Sequence, residues 1–403
     1  MHEIARRYLS LFTDSSDVLK VFSDDDIRFI ERCLLHKEER ERSVRDHIGN
    51  WEYTYTDFPY SRPYLDEYVV EVLRKNQIVR RRLWPDHKQF AICISHDVDA
   101  VTKEDKRKLF RQFSKEKVSM RSLVRLSYDV VDRNIDLLRK GTDDYWCFEK
   151  WIEEIDKHGF SSTFFYFARP DRENLHAYDC DYLTTDPVLF AGKKMTVAEM
   201  MVEMDRAGFE IGLHGSYYAC HDYSLLAEQK ERIEKIIQKP VTRARQHFLH
   251  FDIGETPVTQ IKAGIKVDST LGFNRTVGFR AGTCFPYFLA NKNENQIDLL
   301  EIPLNIMDTA LFNPDALELD EAAAIDKSLE LMDRVEAVGG CLTINFHPHH
   351  VIRPAWWNTF RTIIREAKSR DAYCIKMNEF EELLNPNKTL AVGDNPKSGT
   401  VSL

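Results

Sequence analysis

Two carboxylates and an imidazole crowd into His96-Asp97-Val98-Asp99, directly after the apolar run Phe90-Ala91-Ile92-Cys93-Ile94. Side chains alternate along an extended chain, so Asp97 and Asp99 share one face while His96 and Val98 take the other. Neighbouring carboxylates repel each other unless a cation or a shared proton intervenes. Further along, His214, Arg245, His247, Asp268 and His347 each fall where an apolar, strand-like run finishes. One carboxylate and two imidazoles around an open position form a donor set for Zn²⁺ or a similar divalent ion, which activates water. A second carboxylate can serve as base for that water, and a histidine across the site can protonate a leaving group. Taken singly, each residue has an ordinary explanation. Asp268 could cap a turn, His214 could be a satisfied strand-end histidine, and Arg245 could merely partner a carboxylate. Their order and shared placement point instead to one site.

The elements that must position them alternate. Strand-like runs over 90–94, 161–167, 209–213, 241–248, 266–269, 299–303, 341–346 and 373–377 are separated by helical spacing over 145–158, 198–207, 224–238, 256–263, 320–338 and 356–368. Glycines close several helices (Gly159, Gly208, Gly264, Gly339), and Ser224 is the expected N-cap of the 224–238 helix. Such alternation demands a parallel sheet covered by helices. Seven or eight units over this length, without a GxGxxG or Walker loop after any strand, predict an α/β fold of the (β/α)7–8 barrel kind, complete or incomplete. The functional residues then gather on the face at the strand C-termini.

Residues 1–88 read as a mainly helical accessory region, with helices over 24–35 and 64–74 around an aromatic, proline-containing piece. Trp51, Tyr53, Tyr55 and Tyr60 there could offer a sugar-stacking surface, but packing against the barrel is the preferred reading. The basic run 75–82 is expected to be a solvated face, and the charged stretch 103–140 a helical insertion over one end of the core. The barrel spans 89–384, and 385–403 is expected to be a flexible tail.

Composition narrows the function classes. The chain has 403 residues, 43% hydrophobic, and a net charge of -9, which argues against a general nucleic-acid or anionic-membrane surface. No apolar stretch approaches the ~20 residues of a membrane span, and the N-terminus has no signal-peptide core. Eight cysteines without a CxxC pair read as buried free thiols of a reducing, cytoplasmic setting. The Met195, Met200, Met201 and Met204 group reads as core filling.

Over about residues 89–384 the order of motifs resembles the polysaccharide deacetylase family, with its NodB-type homology domain. Ser95-His96-Asp97-Val98-Asp99 is similar to the first family motif, and Glu210-Ile211-Gly212-Leu213-His214-Gly215-Ser216 to the second. Arg245-Gln246-His247-Phe248 stands at the third, Val267-Asp268-Ser269-Thr270 at the fourth, and Leu342-Thr343-Ile344-Asn345-Phe346-His347-Pro348 at the fifth. The resemblance implies a distorted (β/α) barrel, with Asp97 as general base, Arg245 as the residue orienting it, His347 as general acid, and Asp268 within the catalytic set. Asp99 and His214 would be metal ligands, with Zn²⁺ as the first candidate. The second motif departs from the family, because Tyr218 stands where a second histidine is usual. The third ligand is then expected to be His221, with His247 as its rival. The implied activity is metal-dependent removal of an acetyl group from an N-acetylated sugar in an intracellular glycan or glycan precursor. The alternatives are a related amidohydrolase acting on another non-peptide C–N bond, and a non-catalytic glycan-binding protein.

Overall fold

The computed structural model describes residues 2–15, 17–42, 44–103, 143–169, 176 and 178–384. The expected 103–140 insertion, beyond Lys103 itself, and the expected tail from 385 lie outside those residues. Among the described residues twelve strands are defined: β1 (Ala91–Val98), β2 (Thr163–Tyr166), β3 (Pro187–Phe190), β4 (Lys193–Thr196), β5 (Glu210–Gly215) and β6 (Arg243–Gln246). They continue with β7 (Val267–Asp268), β8 (Tyr287–Ala290), β9 (Gln296–Glu301), β10 (Ile306–Met307), β11 (Cys341–Asn345) and β12 (Tyr373–Cys374).

One curled sheet runs β10-β11-β1-β2-β5-β6-β7-β9-β8, and β12 adds to the N-terminal half of β1. Every pairing in it is parallel except β8 with β9. Its two end strands, β10 and β8, do not pair with each other, so the barrel is open. This is the α/β barrel that the alternation of elements predicts, left incomplete on one side.

Sequence chemistry explains the elements. All eight residues of β1 are buried, as a central parallel strand requires. The strand continues through the polar cluster to Val98 instead of stopping at Ile94. Helix Val197–Arg206 starts on a capping box of Thr196 and Glu199, and buries Met200, Met201 and Met204. Helix Glu321–Val338 is capped by Asp320 and closed by Gly339 in the left-handed region. The 223–237 helix is capped by Asp222, whose side chain accepts from Leu225 N, so Ser224 lies inside the helix. The β3–β4 hairpin and β8 were not legible as strands. Both are short and antiparallel, and the hairpin is partly exposed.

The N-terminal region packs on the loops that follow β6 and β7. Phe12 and Phe285 rings lie 4.4 Å apart, Tyr8 Oη donates to Thr283 Oγ1 at 2.8 Å, and Asn50 Nδ2 donates to the Phe248 carbonyl at 2.7 Å. The Glu39 and Arg280 side chains form an ion pair that is nearly wholly buried. Tyr53, Tyr60 and Phe273 pack edge to face, as aromatic packing and not as an open platform. The basic run is not purely a solvated face, since the Arg80 guanidinium donates to the Val338 carbonyl. Gly278 has φ +148°, and a Cβ there would lie 2.3 Å from the Tyr60 carbonyl oxygen, so this junction admits glycine alone.

Candidate metal centre and acid–base pair

The strand alternation separates the 96–99 cluster as its pattern requires. His96 points away from the cleft into the packing layer, stacked on Phe164 at 4.5 Å with Trp151 edge-on at 4.9 Å. Burial pushes its imidazole down to about 4, so it is a neutral packing residue. Asp97 and Asp99 both face the cleft.

Asp97 sits in a fixed cradle. Arg245 Nη1 donates to its Oδ1 at 3.0 Å, and Asn345 Nδ2 donates to its Oδ2 at 2.8 Å. Asn345 Oδ1 accepts in turn from the Asp97 backbone N–H at 3.0 Å, which fixes the amide's orientation. Arg245 is fully buried, and its remaining donors reach the Ser269 carbonyl (2.7 Å), Ser269 Oγ (2.9 Å) and Ser95 Oγ (2.8 Å). A buried arginine so satisfied holds a carboxylate in one place.

Around Asp99 the imidazoles converge. Its Oδ1 lies 3.2 Å from His214 Nε2 and 3.6 Å from His247 Nε2, and its Oδ2 lies 3.3 Å from His347 Nε2. Burial would raise the Asp99 carboxyl, but the imidazoles of His247 and His347 outweigh it and hold it well below the usual range. His214 is 1% exposed, and its Nδ1 lies 3.0 Å from the Arg245 carbonyl. A carbonyl only accepts, so Nδ1 carries the proton and Nε2 presents a bare lone pair. That Nε2 is buried, and although Asp99 Oδ1 stands 3.2 Å away it makes no well-formed hydrogen bond. An orphaned imidazole nitrogen beside a carboxylate and a second imidazole fits a divalent cation.

His347 is the far pole of the site. Asp308 Oδ1 lies 2.6 Å from His347 Nδ1, while Asp308 Oδ2 accepts from the His347 backbone N–H (2.8 Å) and lies 2.8 Å from His350 Nδ1. Burial would lower the His347 imidazole, but the carboxylates of Asp308 and Asp99 push it up to about 10. Asp308 itself is held far below the usual range, because the two imidazoles overcome the cost of its burial. The cleft in front of these groups measures about 210 Å³, and its walls include Asp46, His47, Ile48, Arg275 and Asp315.

Two expectations need correcting. His221 does not reach Asp99. The turns after Ser216 carry it outward, where it is exposed, 3.4 Å from Glu255 and grouped with Cys220 and His250. His247, the rival, takes the place beside Asp99 and His214, because β6 runs parallel to β5 and pairs Arg245 with His214. Asp268 does not touch Asp97, Arg245 or His347. Its carboxylate accepts from Gln260 Nε2 (2.5 Å), Thr270 N (2.9 Å) and Thr270 Oγ1 (2.8 Å), so it braces the loop after β7. Asp308, Asn345 and Cys180 were missed as members of the site. Asp308 carried the same signal as the others, an apolar run ending in an acid, but its strand β10 is only two residues long.

No helix among the described residues is long and apolar enough to cross a membrane. No protein-family profile matches the chain, and no curated protein sequence matches it. Solved structures with a similar course of chain include a protein from Mycobacterium smegmatis designated a polysaccharide deacetylase. It is 19% identical with a TM-score of 0.49, over 77% of this chain and 97% of its own. Puue allantoinase is 15% identical with a TM-score of 0.46, over 84% and 96%. A protein from Pseudomonas aeruginosa PAO1, also designated a polysaccharide deacetylase, is 14% identical with a TM-score of 0.45, over 77% and 95%.

Proposed function

We propose that this chain is a divalent-metal-dependent hydrolase that removes the acetyl group from an N-acetylated sugar in an intracellular glycan or glycan precursor. The observation that carries the reading is a carboxylate locked by Arg245 and Asn345 on one side of Asp99, and a histidine charged by Asp308 on the other. Asp99, His214 and His247 would hold the metal, with Zn²⁺ the best match to an O,N,N donor set. When bound, the metal supplies Lewis acidity toward the acyl carbonyl and makes water a stronger acid. Asp97 accepts the proton of the attacking water, while Arg245 keeps its carboxylate aimed. His347 gives its Nε2 proton to the departing nitrogen as the C–N bond breaks, and Asp308 keeps that imidazole charged until it does. Acetate and a free amine are the products.

The cleft measures about 210 Å³, room for a single acylated ring at the reacting groups. Four carboxylates line it (Asp46, Asp97, Asp99 and Asp315), and its Arg275 is paired with Glu52. A neutral acetamido group is therefore favoured over a substrate whose phosphate must enter the cleft. The same small size suits a related amidohydrolase acting on another non-peptide amide. All eight cysteines are unpaired thiols, which supports a reducing, cytoplasmic setting.

The test is acetate release from free N-acetylhexosamine, its short oligomers and its 1-phosphate, before and after chelation, with small cyclic amides alongside. Metal-dependent release that Asp97→Asn and His347→Ala each lower on the order of 10²–10⁴-fold is expected. A metal-loaded protein that hydrolyses none of these would overturn the reading and favour a glycan-binding role.

A further inference from the structure

Cys180 lies on an irregular segment between β2 and β3 and is 3% exposed. Its Sγ is 3.8 Å from Asp99 Oδ1 and 3.9 Å from His247 Nδ1. One donor atom from each of Asp99, Cys180, His214 and His247 lies within 4.8 Å of the other three. Ligand atoms ~2.0–2.3 Å from a tetrahedral ion stand roughly 3.3–3.8 Å apart, so the most separated of the four must draw in by about 1 Å, with a single nitrogen of His247 as donor, to close on one cation. The segment is tied in place by neighbouring groups. Asp179 Oδ1 accepts from Tyr217 N at 2.8 Å, and Tyr182 Oη accepts from Phe167 N at 2.8 Å. The buried Nε2 of His214, which makes no well-formed hydrogen bond even to the nearby Asp99 carboxylate, is the second sign that a ligand belongs here.

We infer that Cys180 is a fourth protein ligand of the metal centre, turning an O,N,N set into an O,N,N,S set. The inference rests on the metal-centre reading above and adds to it. Binding forms an S–metal bond and releases the thiol proton to solvent, with no change of oxidation state. A thiolate makes the site borderline-soft, which favours Zn²⁺ and Co²⁺ over Mg²⁺ and Mn²⁺. Tyr218 at the usual position of a second histidine fits this picture, since the donors come from β6 and from the 178–182 segment instead.

The test is Co²⁺ reconstitution of the full chain, read by absorption, with zinc X-ray absorption on the wild type. Visible ligand-field bands report that Co²⁺ occupies the site, and a near-ultraviolet sulfur-to-cobalt band reports the thiolate. The expected result is both bands in the wild type, loss of only the sulfur band in Cys180→Ser, and no effect of Cys220→Ser. Cys220 needs this control because it sits beside His221 and His250 in a second cluster. The zinc spectrum, which needs no variant, should show a sulfur shell at ~2.3 Å beside nitrogen and oxygen at ~2.0–2.2 Å. Metal bound in the wild type and lost in Asp99→Ala, but with no sulfur band and no sulfur shell, overturns the Cys180 assignment and leaves the centre standing. A sulfur band abolished by Cys220→Ser overturns it too. Absence of any Asp99-dependent metal overturns the centre and the assignment together.

Discussion

Replacing Asp308 by Asn should discharge His347 without emptying its surroundings. Asp308 bridges His347 Nδ1 at 2.6 Å and His350 Nδ1 at 2.8 Å. It heads the carboxylates that push His347 from 6.5 up to about 10. A rise of that size corresponds to about 5 kcal/mol in favour of the imidazolium. One opposite charge at contact distance shifts a neighbour by ~1–3 pH units, so Asp308→Asn should lower the His347 titration by about that much, with Asp99 supplying the remainder. The amide would also place N–H groups where Asp308 now accepts from two donors, at a cost of about 1–3 kcal/mol in stability. The direct assay is an NMR titration of the imidazole nitrogens in metal-free wild type and variant. The kinetic counterpart is the pH–rate profile. If His347 is the acid, its alkaline limb must move to lower pH in the variant, with a loss on the order of 10²–10⁴ where the imidazole has become neutral. An imidazole that titrates at the same pH in both proteins would refute the assigned partnership.

Other consequences are as specific. Arg245→Ala leaves Asp97 buried without its cation and should destabilise the fold by about 3–5 kcal/mol in urea unfolding; a loss under about 1 kcal/mol would mean the pair is not where the geometry puts it. His247→Ala should abolish stoichiometric metal binding while His221→Ala leaves it intact, and elemental analysis showing the reverse would restore His221 as the ligand. Burial raises the Asp66 carboxyl to about 6, above the ~3.9 of an unfolded chain. Its contribution to stability is therefore complete below pH ~4 and lost as pH rises toward 6, an effect of about 3 kcal/mol. The wild-type-minus-Asp66→Asn difference in urea midpoints should therefore fall between pH ~4 and 6, and parallel curves would sink the idea. Gly278→Ala drives a Cβ against the Tyr60 carbonyl at a backbone angle alanine resists, so its thermal midpoint should fall by at least ~1 kcal/mol equivalent; an unchanged midpoint would contradict the junction described.

What the sequence made legible follows from what period and punctuation encode. The parallel strands are continuous apolar runs and their helices end on glycines, so the barrel could be read from pattern alone. Asp97, Asp99, His214, Arg245 and His347 were legible because each sits directly at the end of such a run. The choice between His221 and His247 was not. Spacing along the chain measures contour length, whereas the decision is made by the register that sets β6 beside β5. Asp268 misled for a related reason, since an acid at a strand end can brace a loop as readily as serve a site. Cys180 had no periodic element to place it, and its proximity to Asp99 exists only after tertiary packing.

The placement of β1 bears on how the protein is made. This strand carries Asp97 and lies inside the sheet, third from its β10 end, hydrogen-bonded to β2 on one side and to β11 on the other. Five of its residues find their partners in Cys341–Asn345. While a ribosome is still producing the segments between them, an apolar strand must wait with one edge open. Such an edge invites pairing with other chains. Release of a nascent chain ending before Cys341 should therefore yield insoluble product, whereas one ending after Leu384 has every partner that β1 requires.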